Sequence, residues 1–318
     1  MSTVDVVVGR SELAKGTAEV NSSAHAFAPP CAAPLGGVKY PRRSLPMNAC
    51  DSHLHILGPA TTFPYVAERV YTPPDSLLED YAAVQRYLGV ERCVIVQASV
   101  YGSDNRVLIN ALEELGDVAR GVVVLRGDES AEELQGMHML GVRGARVNVV
   151  DVKSPRPQLP QEQLQRLADL IRPLGWHLEL LMHVDLHPDM ASVLGRLDVP
   201  LVFGHMGYLS RDVGDHRHPG MKAMLELAKS GCAWIKVTAP YRAAEPPDYR
   251  KAREILHWLA GECMDRLVWG SDWPHVMVKT AMPHDADLVD LIADWLPEQG
   301  QQEALFAANA ARLYGWPP

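Results

Sequence analysis

From Met47 onward, short apolar runs rich in Val, Ile and Leu alternate with longer amphipathic segments. The runs are Ala49–Ile56, Arg92–Ala98, Gly121–Leu125, Gly144–Val150, His177–His183, Leu201–Gly204, Ala233–Val237 and Leu267–Trp269. Most are continuously apolar, as in a strand covered on both faces. Between and after them the pattern predicts helices over Leu77–Leu88, Arg106–Leu115, Ala131–Leu140, Gln161–Leu174, Pro188–Leu197, Met221–Lys229, Tyr249–Glu262, Asp285–Trp295 and Gln302–Tyr314. Acidic residues favour the helix starts, where backbone N–H groups point outward, and Gly follows several ends (Gly89, Gly116, Gly141, Gly175, Gly231). Eight strand–helix units in series predict an α/β fold of the (β/α)8 TIM-barrel type. An open doubly wound sheet is the alternative, but no GxGxxG turn follows the first strand.

The first 46 residues break this rhythm. Ser22–Leu35 is rich in Ala, Pro and Ser, and Gly36–Pro46 adds further breakers and a basic patch. An irregular N-terminal arm over 1–46 is expected, wrapping its own barrel or a neighbouring subunit of a homo-oligomer, followed by a single barrel domain over 47–318. Disorder is the plainer alternative for the arm.

Composition narrows the function classes. Of 318 residues, 30 are Lys or Arg against 39 Asp or Glu, a net charge of −9, and no basic run exceeds Arg42–Arg43. A nucleic-acid partner is therefore not expected. No apolar stretch has the length of a membrane span, and Val4–Val8 is too short for a secretory signal. Five widely spaced cysteines (Cys31, Cys50, Cys93, Cys232, Cys263) without a CxxC pair suit buried thiols in a cytoplasmic protein rather than a disulfide framework.

The polar residues crowd the strand ends, where a (β/α)8 barrel carries its chemistry. Strand 1 ends Asp51-Ser52-His53-Leu54-His55. Residues two apart on a strand share a face, so His53 and His55 point together into the barrel mouth. Such a pair is half of a divalent-metal site or a hydrogen-bonded structural pair. Strand 5 ends Met182-His183, strand 6 Gly204-His205-Met206-Gly207, and strand 8 Gly270-Ser271-Asp272-Trp273-Pro274-His275. Alone, His183 and His205 read as satisfied core histidines and Asp272 as a helix cap. Together at one rim they would repel or stay unpaired unless something organises them.

The segments DSHLHILGP, VIVQASVYGSDN, GVRGARVN, FGHMG and WGSDWPH resemble the amidohydrolase superfamily, in particular its lactone-processing branch, over about Met47–Tyr314. The resemblance implies roles residue by residue. His53, His55 and Asp272 match the strand-1 histidines and the strand-8 acid, and His205 matches the strand-6 histidine. Ser99 and Tyr101 fall in the substrate-facing loop after strand 2. Arg146 and Arg242 match arginines that hold substrate carboxylates, although either residue could equally cap a strand or pair with an acid. Tyr208 stands where the pyrone-dicarboxylate enzymes carry an arginine, which makes a dicarboxylated pyrone a poorer fit. His183 fills a place those metal-free relatives leave without histidine, and restores the metal set of other relatives. Lys236 faces inward or snorkels between helices; Asn105 and Asn148 fix loops, and Trp269 and Trp273 pack.

The expectation is a lactonase. Zn²⁺ held by His53, His55, His183 and Asp272 would activate water, Asp272 would serve as general base, and His205 would bind the carbonyl oxygen or protonate the leaving group. Arg146 and Arg242 would clamp an anionic lactone of muconolactone type, 4-sulfomuconolactone among them, from aromatic breakdown. The alternatives are a metal-independent lactonase of the pyrone-dicarboxylate type, a sugar-acid lactone isomerase and a catalytically dead scaffold. The intact histidine–aspartate set speaks against the last.

Overall fold

The computed structural model describes residues 38–150, 158–278 and 282–317. Eight parallel strands are hydrogen-bonded in chain order: β1 (Cys50–Leu54), β2 (Arg92–Val96), β3 (Ala119–Val123), β4 (Val142–Asn148), β5 (His177–Leu181), β6 (Leu201–Phe203), β7 (Ala233–Val237) and β8 (Leu267–Trp269). β8 returns to β1 through Asp272 N–H on the His53 carbonyl and His55 N–H on the Trp273 carbonyl, both at 2.9 Å. The predicted α/β barrel is the observed fold.

The intervening helices are α1 (Leu78–Leu88), α2 (Arg106–Leu115), α3 (Ala131–Met139), α4 (Gln161–Ile171), α5 (Met190–Leu194), α6 (Pro219–Lys229), a short α7 (Pro240–Ala243) and α8 (Arg250–Cys263). Local chemistry sets several ends. Ser130 and Glu133 form a reciprocal capping box at α3, and Gly89 closes α1 in the left-handed region. After β8 come α9 (Asp285–Trp295), α10 (Gln299–Glu303), a π-helical turn over Ala304–Ala308 and α11 (Asn309–Tyr314). No helix among the described residues is long and apolar enough to cross a membrane.

Strand periodicity sorts two apolar layers. Val94, Val96, Val122, Val202, Trp234 and Val268 share one buried cluster with Ala310 and Tyr314 of α11. Their strand neighbours Cys93, Ile95, Val123, Leu201, Phe203, Ile235 and Leu267 belong to the larger cluster packed with the helices. Sides alternate because successive strand residues point to opposite faces.

Most of the expected arm lies outside the described residues. Its described end runs along α9, where Lys39 pairs with Asp287 and Arg42 pairs with Asp290 at 3.0 Å and Asp294 at 2.5 Å. Cys50, Cys93 and Cys263 are buried free thiols, Cys232 is exposed, and Cys31 lies outside the described residues.

Candidate active site

The site is built where β1 meets β8. The β1–β2 register shifts between Asp51 and Leu54, an irregularity that re-aims the following side chains. Asp51 clips the two strands together. It accepts the backbone N–H of His53 at 3.1 Å and of Ser271 at 2.8 Å, the Ser271 hydroxyl at 2.5 Å and the Tyr81 hydroxyl at 3.2 Å. Burial still pushes its carboxyl up to about 6. Gly270 lets the strands approach: a Cβ there would stand 2.7 Å from both Cβ and N of His53.

Ten described non-glycine residues have positive φ, and seven of them lie just after β6, β7 and β8: His205, Met206, Tyr208, Ala239, Asp272, His275 and Met277. Each left-handed non-glycine residue costs roughly 1 kcal/mol or more. That strain concentrates on the three loops that bring His205 and Asp272 to the barrel mouth.

Asp272 is fully buried and its two oxygens differ. Oδ2 accepts the Tyr241 hydroxyl at 2.7 Å and Arg242 Nη2 and Nε at 2.8 and 3.1 Å. Oδ1 has no hydrogen-bond partner and faces His53 Nε2 at 3.6 Å and His205 Nε2 at 3.9 Å. Burial alone would raise this carboxyl's pKa. Arg242, His205, His55 and the Tyr241 hydrogen bond outweigh it and hold the group well below the usual carboxylate range.

The histidines are the converse case. Burial, reinforced by Lys236 at His53 and Arg146 at His55, lowers both, the second to about 4. Burial lowers His205 as well, against the pull of Asp272. All three rings are therefore neutral near pH 7 and each has a nitrogen to offer. His55 Nδ1 meets the Val96 carbonyl at 2.8 Å, and His205 Nδ1 meets Thr238 Oγ1 at 2.7 Å. These contacts leave the two Nε2 atoms for the pocket.

Among the described residues, His53, His55 and Asp272 form a group whose ligand atoms all lie within 4.8 Å of one another. The residues fit a divalent cation because His53 Nε2 and Asp272 Oδ1 are buried, 3.6 Å apart and without hydrogen-bond partners. His183 stands outside this group, contrary to the sequence expectation. β5 ends at Leu181, the chain turns, and His183 Nδ1 is bound to the Tyr208 carbonyl at 2.6 Å with its ring against the Tyr208 ring.

The cavity above these groups has a volume of about 90 Å³ and is lined by His55, Arg146, His205, Arg242 and Asp272, with Ser99 and Tyr208 at its walls. Arg146 donates to the Gln97 carbonyl at 2.9 Å, while its Nε has no hydrogen-bond partner and lies 3.9 Å from Glu179 Oε1. Arg242, expected as a carboxylate clamp, lines the cavity and is also hydrogen-bonded to Asp272 Oδ2. Ser99 and Tyr101 follow β2, as expected, but are placed differently. Ser99–Tyr101 is a 3₁₀ turn, so the two side chains do not share a strand face. Ser99 reaches the cavity, whereas the Tyr101 hydroxyl accepts Gly58 N–H at 2.7 Å and its ring packs on Tyr65.

Lys236 faces inward. It is fully buried, 2.5 Å from Glu179 Oε2 and 3.2 Å from His53 Nδ1. Burial lowers its pKa against the pull of Glu179. Asn105 fixes its loop through both Val124 backbone groups at 2.9 and 3.0 Å, and Asn148 accepts Val150 N–H at 3.0 Å. Trp269 packs on Phe306 and Trp273 on Tyr81. Sequence reasoning missed Glu179, Tyr71 at the cavity wall, Tyr241 and the contacts of His275. Tyr241 adjoins the flagged Arg242, and His275 lies inside the strand-8 motif, so both were within reach of a closer reading.

The amidohydrolase family model matches residues 50–316. The 2-pyrone-4,6-dicarboxylate hydrolase of Comamonas testosteroni is 35% identical over 287 residues, covering 87% of this chain and 93% of that protein. The 4-sulfomuconolactone hydrolase of Rhizobium radiobacter is 33% identical over 290 residues, covering 90% and 96%. Among solved structures, a Burkholderia multivorans amidohydrolase with bound zinc superposes with a TM-score of 0.67 at 18% identity, covering 85% and 99%, a likeness of fold alone.

Proposed function

The chain belongs to the amidohydrolase family, and from that premise we propose that it is a hydrolase opening an anionic lactone, of the muconolactone type met in aromatic catabolism. The observation that carries the reading is the asymmetry of Asp272. One oxygen is saturated by Tyr241 and Arg242, and the other is bare and faces a cavity ringed by neutral histidines and arginine. A carboxylate held ionised with one free oxygen is a proton acceptor for attacking water. The names of both curated relatives, which act on anionic lactones, support the substrate class.

In this mechanism Arg146 draws the substrate's carboxylate or sulfonate into the cavity. A guanidinium suits such groups because it donates in parallel from two nitrogens. Asp272 Oδ1 takes the proton of water as it attacks the ring carbonyl. His205, held from behind by Thr238, hydrogen-bonds the carbonyl oxygen or returns a proton to the departing ring oxygen. A divalent ion such as Zn²⁺, held by His53, His55 and Asp272, would polarise that carbonyl and acidify the water. Ring opening yields a hydroxy or keto acid.

One observation favours a metal-independent variant of the same reaction. Lys236 contacts His53 Nδ1 and Arg242 already compensates Asp272, so cations of the chain itself surround both carboxylates. The test is a panel of anionic, neutral and sugar-acid lactones with metal content measured in parallel. About one equivalent of metal, with activity lost on chelation and restored by zinc, supports the metal-assisted form. Full activity in metal-free protein supports the variant. Conversion of a lactone to an isomer, without ring opening, would replace hydrolysis by isomerisation.

A further inference from the structure

We propose that the substrate is an anionic lactone bearing an aromatic substituent, and that this substituent lies in a second chamber beside the cavity, walled by the loops after β6, β7 and β8. The inference rests on the reading of the cavity as the place where a lactone is opened. The cavity, at about 90 Å³, is smaller than the roughly 150 Å³ void that takes up one benzene molecule. A lactone ring with an acid side chain is larger than benzene, so part of such a substrate must extend past the cavity walls. The second chamber, of about 300 Å³, shares Tyr208, Arg242 and Met277 with the cavity.

The chamber lies on the side away from the anion-binding arginine. Arg146 comes from β4, which stands across the ring of eight strands from β8. Tyr208 follows β6, Tyr241 and Arg242 belong to α7 after β7, and Met277 and Val278 follow β8. An acid group held by Arg146 therefore turns the far side of the substrate ring toward the chamber.

The lining is aromatic and its charges are matched. Tyr208, Tyr241 and Tyr249 all contribute to it. The Arg242 guanidinium carbon lies 5.7 Å from the centroids of both the Tyr208 and the Tyr241 rings, while its N–H groups go to Asp272 and the Val276 carbonyl. Planar π faces of this kind favour an aryl group. Arg211 pairs with Glu245 and donates to the Tyr241 and Arg242 carbonyls, the latter at 3.2 Å. A second carboxylate or sulfonate entering here would meet Glu245 and, among the described lining residues, no cation without an acid partner.

The test compares muconolactone with derivatives carrying phenyl or a second carboxylate on the ring. The best phenyl derivative should exceed muconolactone in kcat/KM by roughly tenfold or more, and a carboxylate at the same position should fall below it. Val278 lines the chamber and not the cavity, so Val278→Trp fills the chamber alone. It should bring the phenyl-to-unsubstituted ratio to within about twofold of one. Glu245→Gln should act the other way, leaving Arg211 without its acid and raising the carboxylate derivative by about tenfold relative to muconolactone. A folding defect cannot produce both changes.

Binding without turnover separates the chamber from the reaction. The matching cyclic ethers, in which the ring carbonyl is replaced by CH2, cannot be opened. By calorimetry the phenyl ether should bind roughly tenfold more tightly than its parent, with a more negative heat-capacity change, and lose that margin in Val278→Trp. A phenyl ether bound no better than its parent, or held as tightly by Val278→Trp as by wild type, would overturn the proposal. If the phenyl ether is preferred but no lactone is turned over, the functional reading falls and the aryl chamber stands.

Discussion

Arg242 grips Asp272 from one side: two of its nitrogens reach Oδ2, at 2.8 and 3.1 Å, and none reaches Oδ1. This pairing gives a buried carboxylate both its charge and its direction. Removing the guanidinium lets burial dominate, so the pKa of Asp272 must climb. Arg242→Met should lower kcat/KM on the true substrate at neutral pH by about two orders of magnitude and bring an acid limb, absent from the wild type above pH 5, into the pH–rate profile. A profile unchanged in shape would show that Asp272 does not act as the base.

Arg146 should report on substrate charge instead. It lines the cavity, its Nε has no hydrogen-bond partner, and Gln97 and Glu179 hold it in place. A charge-assisted contact with an anion is worth about 1.5–3 kcal/mol. Arg146→Met should therefore cost roughly one to two orders of magnitude in kcat/KM on an anionic lactone and less than about threefold on a neutral one. Equal losses on both would assign Arg146 to the scaffold.

The Lys236–Glu179 pair makes a stability prediction. Both side chains are buried inside the barrel. Deleting one partner strands a charge, at about 3–5 kcal/mol, whereas apolar replacement of both is often neutral. Lys236→Met should lower the midpoint of denaturant unfolding sharply, and the double variant with Glu179→Leu should recover most of the loss. An additive double variant would mean that the two charges are compensated elsewhere.

His177 gives the pH dependence. Its ring is buried edge-on to Tyr314, and burial, with Lys236 adding, pushes its pKa down to about 3 from 6.5. The unfolded chain then binds a proton that the folded chain refuses, so stability is full above pH 6.5 and falls as pH drops toward 3, at about 1.4 kcal/mol per unit of pH. His53, His55 and His205 act in the same sense. Asp51, raised to about 6, acts oppositely: its contribution is present at acid pH and lost as pH rises to about 6. Urea unfolding of His177→Leu between pH 4 and 7 should show a shallower acid slope than wild type. An identical slope would mean that the histidine titrates normally.

Much of this was legible in the chain. Eight apolar runs and the Gly-terminated helices between them fix a barrel, and strand-end spacing alone brings His53, His55, His205 and Asp272 together. What escaped depends on contacts between distant segments. β3 begins at Ala119, two residues before the apolar run, because Arg120 turns its guanidinium onto backbone carbonyls and the Trp316 ring. His183 was placed among the ligands because it restores the histidine set of metal-binding relatives, and no sequence pattern shows that its ring meets the Tyr208 carbonyl instead. Arg242 could be read as a substrate clamp or as the partner of an acid, and one sequence does not reveal that the acid it meets is Asp272. Glu179 was hidden in an apolar run, and only its partner Lys236 hinted that the barrel interior holds charge.

The most direct test of the account is turnover of an anionic lactone in ¹⁸O-water by wild type and Asp272→Asn. One heavy oxygen should enter the carboxylate of the ring-opened product. Asp272→Asn, which keeps the shape of the side chain but cannot accept the water's proton, should be slower by about three orders of magnitude or more. Product without heavy oxygen, or an asparagine variant as fast as wild type, would contradict it.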